Sequence, residues 1–369
     1  MRFVHTADWQ LGMRRHVLSG EAQGRFTQDR IDAVAAVMRL AEREGAAFVV
    51  VAGDAFDDNQ VEPATVARAL EALRATAVPV WILPGNHDTY DSGSVYRRRE
   101  LVERLPAHVR VVTDTTPVEV APGVELVGAP WTSKRPGADP VADALGSLPP
   151  AEGVLRVLLA HGGCDAVAYG GQESAQLRLA DLEAPLADGR VHYVALGDRH
   201  STDAVGATGR IWYSGAPEPT AHVEHAPGNA LVVDLAPGEI TVTPHRVGRW
   251  SFRDARFDLD GPADVERLRR WFADSADPAR TVARVALRGT VSLRDRAAVD
   301  AVLAEARLTH AAVDEWERHT DLVVAPDEAD LEALDVGGFV RTALDELVAD
   351  DDPAALDAVR LLYRLAVRS

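Results

Sequence analysis

The sequence is short of cysteine, of positive charge and of long apolar runs, and each shortage closes off a class of function. Its 369 residues contain one cysteine, Cys164, so no intrachain disulfide can form and no thiolate cluster can bind a metal. No apolar run approaches the length that spans a bilayer, so no membrane role is expected. The opening MRFVHTADWQ lacks the basic n-region and apolar h-region of a secretory signal and passes straight into a strand-like pattern. A reducing compartment, the cytoplasm, is the expected location. Low-complexity tracts and internal repeats are missing too, which sets aside disordered and solenoid architectures.

Positive charge is outnumbered: 39 Lys and Arg face 57 Asp and Glu, for a formal net charge of -18. That balance argues against a protein that coats nucleic acid, because phosphate binding draws its affinity from basic side chains. The charges are unevenly placed, however. Arg14 and Arg15, then Arg97, Arg98 and Arg99, form basic clusters, whereas an acidic stretch from Asp321 onward includes Asp350, Asp351 and Asp352. The 47% hydrophobic share describes a globular chain with room for two or three domains.

The first third alternates strand and helix signals. A strand over Arg2 to Ala7 precedes a helical period on Ile31, Val34, Met38 and Ala41 that stops at Gly45. Phe48 to Ala52 reads as a buried strand. Pro63 suits a first helical turn, with Val66, Leu70 and Leu73 on one face, and Val78 to Leu83 is the next strand. Such a βαβαβ unit builds a parallel sheet, and ligands gather beyond the carboxyl ends of its strands.

From about Val109 the strands shorten and turn signals multiply, so a second sheet is expected. We place the first domain at residues 1–249. Residues 250–320 alternate again as a small α/β unit, and 321–369 read as a C-terminal helical segment.

The chemistry-bearing side chains follow strand ends. Asp8 and Gln10 follow the first strand, Asp54 the second and the run Asn86, His87, Asp88 the third; His161 and the triplet Asp198, Arg199, His200 each follow a later apolar strand. Parallel strands deliver such residues to one rim, where carboxylate, amide and imidazole donors can surround two divalent ions that share a bridging carboxylate. Asp54, in VVVAGDAFDD, is the candidate bridge. Taken singly, Asp8, Asn86 and Asp198 suit turns and helix caps, and His161 suits a buried structural site.

In order, HTADWQLG, AGDAFDD, LPGNHD, LLAHGG and ALGDRHS resemble the calcineurin-like phosphoesterase signature: D-x-H, G-D-x-x-D, G-N-H-D/E, a lone His, then G-H-x-H. The opening octet, the YSGAP segment at Tyr213 to Pro217 and the small α/β unit resemble the SbcD branch of that superfamily, DNA repair nucleases that work with an SMC-like ATPase. The resemblance covers about residues 1–235. It implies a four-layer αββα sandwich with a small α/β capping domain.

Two positions depart from the pattern: Gln10 and Asp198 stand where the family has histidines. Carried over by position, one metal would be held by Asp8, Asp54 and His200 with Gln10 as a weak fourth ligand. The other would be held by Asp54, Asn86, His161 and Asp198. Both exchanges keep an oxygen donor, which favours Mn²⁺, with Mg²⁺ or Fe²⁺ as alternatives, and weakens the first position. His87 matches the family's catalytic histidine, and Asp88 is expected to orient its ring.

The reading that follows is a metal-dependent DNA nuclease, with DNA as substrate, an SbcC-type SMC-like ATPase as partner and a homodimer as assembly. Competing readings are a phosphodiesterase for a small substrate such as a cyclic nucleotide, and a weakly active scaffold for the ATPase.

Overall fold

The computed structural model describes residues 1–135, 137, 139–146, 148–167, 177–324, 338–350, 352, 354–355 and 358–359. The chain divides into two compact units, one of Met1–His16 with Gln23–Trp250, the other of Val17–Ala22 with the chain from Ser251 onward.

In the first unit the strands are β1 (Arg2–Thr6), β2 (Val49–Val51), β3 (Val80–Ile82), β4 (Val109–Val111), β5 (Val118–Ala121) and β6 (Val124–Gly128). They continue with β7 (Leu155–His161), β8 (Tyr193–Gly197), β9 (Asp203–Val205), β10 (Ile211–Tyr213), β11 (Asn229–Ala236) and β12 (Glu239–Arg246). Helices α1 (Gly20–Arg43), α2 (Pro63–Leu73), α3 (Arg99–Val102), α4 (Pro140–Gly146) and α5 (Leu179–Ala187) lie between them. Two six-stranded sheets result, ordered β12-β11-β1-β2-β3-β4 and β5-β6-β7-β8-β10-β9. β1 to β4 pair in parallel, as do β6, β7, β8 and β10, and antiparallel strands close both edges of the second sheet and the β12 edge of the first.

The layering follows from the two-residue period of strand side chains. On the β2 segment Val49 and Val51 pack with Val34, Met38 and Leu70 of the helices, while Phe48, Val50 and Ala52 face the other way. On β7, Val157 and Leu159 meet that second set, whereas Leu158 and Ala160 pack with Leu182 and Leu186 of α5. Phe3, Phe48 and Tyr193 sit in the shared core between the sheets, with Phe3 stacked on Phe48 at 4.9 Å. The architecture is therefore α on β on β on α. Because both sheets are covered on both faces, their central strands read as continuous apolar runs.

In the second unit β13 (Ser251–Leu259), β14 (Thr281–Val291), β15 (Ala312–Glu315) and β16 (Asp321–Val324) form a parallel sheet. Helices α6 (Pro262–Ala273) and α7 (Leu293–Thr309) cover one face through Leu268, Phe272, Val299 and Leu303 against Phe257, Val285 and Leu287. Ser292 caps α7 by accepting from Asp295 N at 3.0 Å.

The expected start of a helical segment at residue 321 needs correction. Asp321–Val324 instead pairs with Arg288–Val291, because β14 is long enough for its first half to carry β15 and its second half β16. Helix α8 (Phe339–Val348) follows. Most of the expected helical segment beyond residue 350 falls outside the described residues. Among the described residues, no helix is long and apolar enough to cross a membrane.

Candidate metal centre

The parallel strands bring their carboxyl ends to one rim, and the loops that leave them run side by side. Past β1 and β2 the ladder continues: Asp8 N donates to Gly53 O, Gln10 N to Asp54 O and Leu11 N to Ala55 O, each at 3.0 Å. Between those bonds the backbone takes conformations that L-residues avoid. Asp8, Gln10 and Asp54 have φ of 53°, 48° and 54°, and Asp198, after β8, has 95°. Left-handed backbone at a non-glycine residue costs on the order of 1 kcal/mol and persists where the surroundings enforce it, commonly at functional sites.

Asp8, Asp54 and His161 meet in the pocket so formed, each offering a donor atom within 4.8 Å of the others, and all three are buried. His161 is the hub. Its Nδ1 lies 2.8 Å from Ala52 O, and since a carbonyl only accepts, Nδ1 carries the hydrogen and Nε2 faces the pocket. Nε2 lies 2.7 Å from Asn86 Oδ1, 3.4 Å from Asp54 Oδ2 and 3.8 Å from Asp198 Oδ1. His200 is oriented alike: Nδ1 meets Thr220 Oγ1 at 2.7 Å and Glu224 Oε1 at 3.2 Å, leaving Nε2 3.9 Å from Asp8 Oδ1. A carboxylate behind a ring nitrogen fixes tautomer and ring plane, as metal-binding histidines require.

The carboxylates crowd one another. Burial pushes Asp8 up to about 7, with the neighbouring charges of Asp54 and Asp198 adding to it and His200 and His161 opposing it. Asp54, although buried, is held below the usual range, because the charge and hydrogen bond of His161 outweigh desolvation. Desolvation works against the charged form of the His161 ring too, yet Asp54, Asp8 and Asp198 raise it well above an ordinary imidazole. A pocket with three carboxylates at close range is unfavourable unless positive charge is supplied.

Gln10 adds a second sign. Its Nε2 donates to Asp54 Oδ2 at 2.9 Å, but its Oε1 is buried with no hydrogen-bond partner among the described residues. A hidden acceptor without a donor is costly. The donor chemistry and this orphaned oxygen fit a divalent cation with oxygen and imidazole ligands. Two glycines leave room for it: a Cβ on Gly53 would meet the His161 ring, and one on Gly85 would meet the Asp54 carboxylate.

The His87 backbone N–H donates to Asp54 Oδ1 at 3.0 Å, and its half-exposed ring points Nε2 to within 4.0 Å of Asp54 Oδ2. The partner of its Nδ1 is the backbone carbonyl of Asp57 at 2.8 Å. Asp88 therefore does not orient that ring. Fully buried, it accepts from Gly85 N at 2.7 Å, Phe56 N at 3.0 Å and Tyr96 Oη at 2.5 Å, fastening the loop after β3 to the loop after β2. The reason is direction: its carboxylate faces three inward donors and the ring faces the rim.

Several supporting groups carry no motif. Thr220 and Glu224 behind His200 lie in an ordinary polar stretch. The carbonyls of Ala52 and Asp57 have no residue-type signature at all. Trp131 donates Nε1–H to His161 O at 2.8 Å. Of the basic run, Arg97 lies over the Tyr90 ring, Arg98 binds the carbonyls of Val61 and Asn59, and Arg99 pairs with Glu103.

Residues 1–202 match the calcineurin-like phosphoesterase family. The DNA double-strand break repair protein Mre11 of Halobacterium salinarum is 30% identical over 295 residues, covering 74% of this chain and 68% of that protein. The Mre11 protein of Archaeoglobus fulgidus is 34% identical over 91 residues, 24% of this chain and 19% of that one. The crystal structure of TT1561 of Thermus thermophilus aligns with a TM-score of 0.44 at 14% identity, over 66% of this chain and 98% of that chain. The five segments whose side chains meet at the strand ends all lie inside the matched residues, which make up more than half the chain, and this protein belongs to the calcineurin-like phosphoesterase family.

Proposed function

We propose that this phosphoesterase is a DNA nuclease of the SbcD type, hydrolysing phosphodiester bonds with two divalent ions, Mn²⁺ above all. The observation that carries the reading is the convergence of Asp8, Asp54 and His161, with Asn86, Asp198 and His200 around them, at the ends of parallel strands. Similarity to two Mre11 proteins named for double-strand break repair supports DNA as the substrate over other phosphodiesters.

In this reading Asp54 would help hold two ions, one also held by Asp8, His200 and Gln10, the other by Asn86, His161 and Asp198. Bound there, such ions would supply Lewis acidity toward the phosphate and toward an attacking water. The remaining work falls to the chain itself. His161 and His200 present Nε2 because Ala52 O and the Thr220–Glu224 pair occupy their Nδ1 atoms. His87, with Nδ1–H given to Asp57 O, keeps Nε2 at the open rim, where a protonated ring stabilises developing charge or delivers a proton to the leaving oxygen. Asp88 keeps the His87 loop in place.

The finer assignments belong to the same proposal: exonucleolytic action, a cytoplasmic location, an SbcC-type SMC-like ATPase as partner, a homodimer, and the unit from Ser251 as a capping domain that handles DNA. The net charge of -18 favours one rival, a small phosphodiester substrate. The test is degradation of linear and single-stranded DNA with Mn²⁺, run beside a bis-aryl phosphodiester, for wild type, Asp54→Ala and His87→Ala. We expect DNA loss that disappears in Asp54→Ala and falls in His87→Ala. Intact DNA beside a cleaved small ester would sink the nuclease reading.

A further inference from the structure

One buried cation holds the backbone of the strained loop after β1. From α1, Arg30 donates Nε–H to Trp9 O at 3.1 Å and to Gln10 O at 3.3 Å, and an Nη2–H to Trp9 O at 2.8 Å. Its Nη1 reaches Glu218 O at 3.2 Å, and the side chain is almost wholly buried. A desolvated guanidinium needs its hydrogens met, and here backbone carbonyls take one from each of its three nitrogens.

Two features give this contact a consequence for the site. Asp8 and Gln10 both have left-handed φ, so the chain between them leaves the strand conformation. The Gln10 and Leu11 N–H groups continue the ladder to the β2 loop while Arg30 binds the carbonyls of Trp9 and Gln10, the latter shared with Met13 N. Glu218, in turn, stands two residues before Thr220, which with Glu224 orients His200. One guanidinium thus ties the segment carrying Asp8 and Gln10 to the segment that aims His200. His161 and Asn86, by contrast, are braced by Ala52 O, Trp131 and the loop pinned by Asp88.

We propose that Arg30 is a positioning residue for one metal position only, the one formed by Asp8, Gln10 and His200. The inference rests on the two-position reading above. Partners outside the first ring of ligands commonly contribute about 10–100-fold to metal affinity, and a loss of that order at one of two positions is the expected effect.

Mn²⁺ binding to the full chain, followed by calorimetry and by the electron paramagnetic resonance of free Mn²⁺, separates the outcomes. Wild type, Arg30→Met and Arg30→Lys are compared, with thermal unfolding reporting the fold. The expected result is two Mn²⁺ equivalents in wild type and selective loss of one in Arg30→Met, with the other changed by less than about threefold. Arg30→Lys, which keeps the charge but not the fork, falls between. If Arg30→Met does not fold, Arg30→Lys alone decides, by weakening one equivalent only. Folded variants in which both equivalents are unchanged, or both weaken equally, overturn the inference. A wild type that binds fewer than two ions overturns the two-position reading itself, and this inference with it.

Discussion

The Gln10 side chain lies against Asp54, its Nε2 donating to Oδ2 at 2.9 Å while its own Oε1 points into buried space without a donor. A residue that stands where the family has histidine therefore grips the candidate bridging carboxylate and offers an unspent oxygen beside it. An unmet buried acceptor costs about 1–3 kcal/mol, which a cation at that oxygen would relieve.

Replacing Gln10 with histidine tests that placement. Imidazole is a stronger donor than an amide toward first-row divalent ions, so one Mn²⁺ equivalent should tighten by about tenfold, or 1.4 kcal/mol, in calorimetry. An unchanged isotherm would mean that residue 10 touches no ion.

Asp54→Asn separates metal binding from folding. Against desolvation, His161 holds Asp54 below the usual carboxylate range, so its charge stabilises the metal-free fold, and the metal-free variant should unfold earlier than wild type. Saturating Mn²⁺ should raise the unfolding temperature of wild type but not of the variant. Phosphodiesterase turnover should fall by about 10²–10³ or more. A variant that still gains thermal stability from Mn²⁺ would exclude Asp54 as the bridge.

Asp88→Ala should act on stability as well as on rate. It strands the N–H groups of Gly85 and Phe56 and the Tyr96 hydroxyl, an expected loss of about 1–3 kcal/mol in urea unfolding. Full stability together with lost activity would instead return Asp88 to a chemical role.

His5 makes a pH-dependent contribution of known sign. Burial holds its ring down to about 3 from 6.5, only partly offset by the bond to Leu196 O. Between those values the unfolded chain binds the proton and the folded chain does not, so this stability is complete above the unfolded value and drains as pH falls. At about pH 4.5 the loss is roughly 2–3 kcal/mol. Asp8, Asp88 and Glu218, raised to about 7, 6 and 7, have the opposite sign, stabilising at low pH and weakening as pH rises. The informative quantity is therefore wild type minus His5→Gln, which should shrink as pH falls from 7 to about 4.5. A constant difference would refute it.

Much of the frame was legible in the chain. Ile31, Val34, Met38 and Ala41 keep the helical period that packs α1 on its sheet, and the short apolar runs at Val49–Val51 and Leu155–His161 are the buried parallel strands their flanks suggest. Asp321–Val324 was misread because four residues carry too little pattern to separate strand from helix. Its strand form is decided by the free second half of β14.

The sequence by itself determined which donors exist and that they follow strand ends, since residue type and hydrophobic period are properties of single positions and their near neighbours. Only the tertiary structure decided which atom of each side chain faces the pocket, that Asp88 fastens a loop while Asp57 O holds His87, and that Arg30 spans two loops. Those choices are made by backbone carbonyls, left-handed turns and partners far apart in the chain, 188 residues between Arg30 and Glu218, and none of these leaves a mark on local sequence.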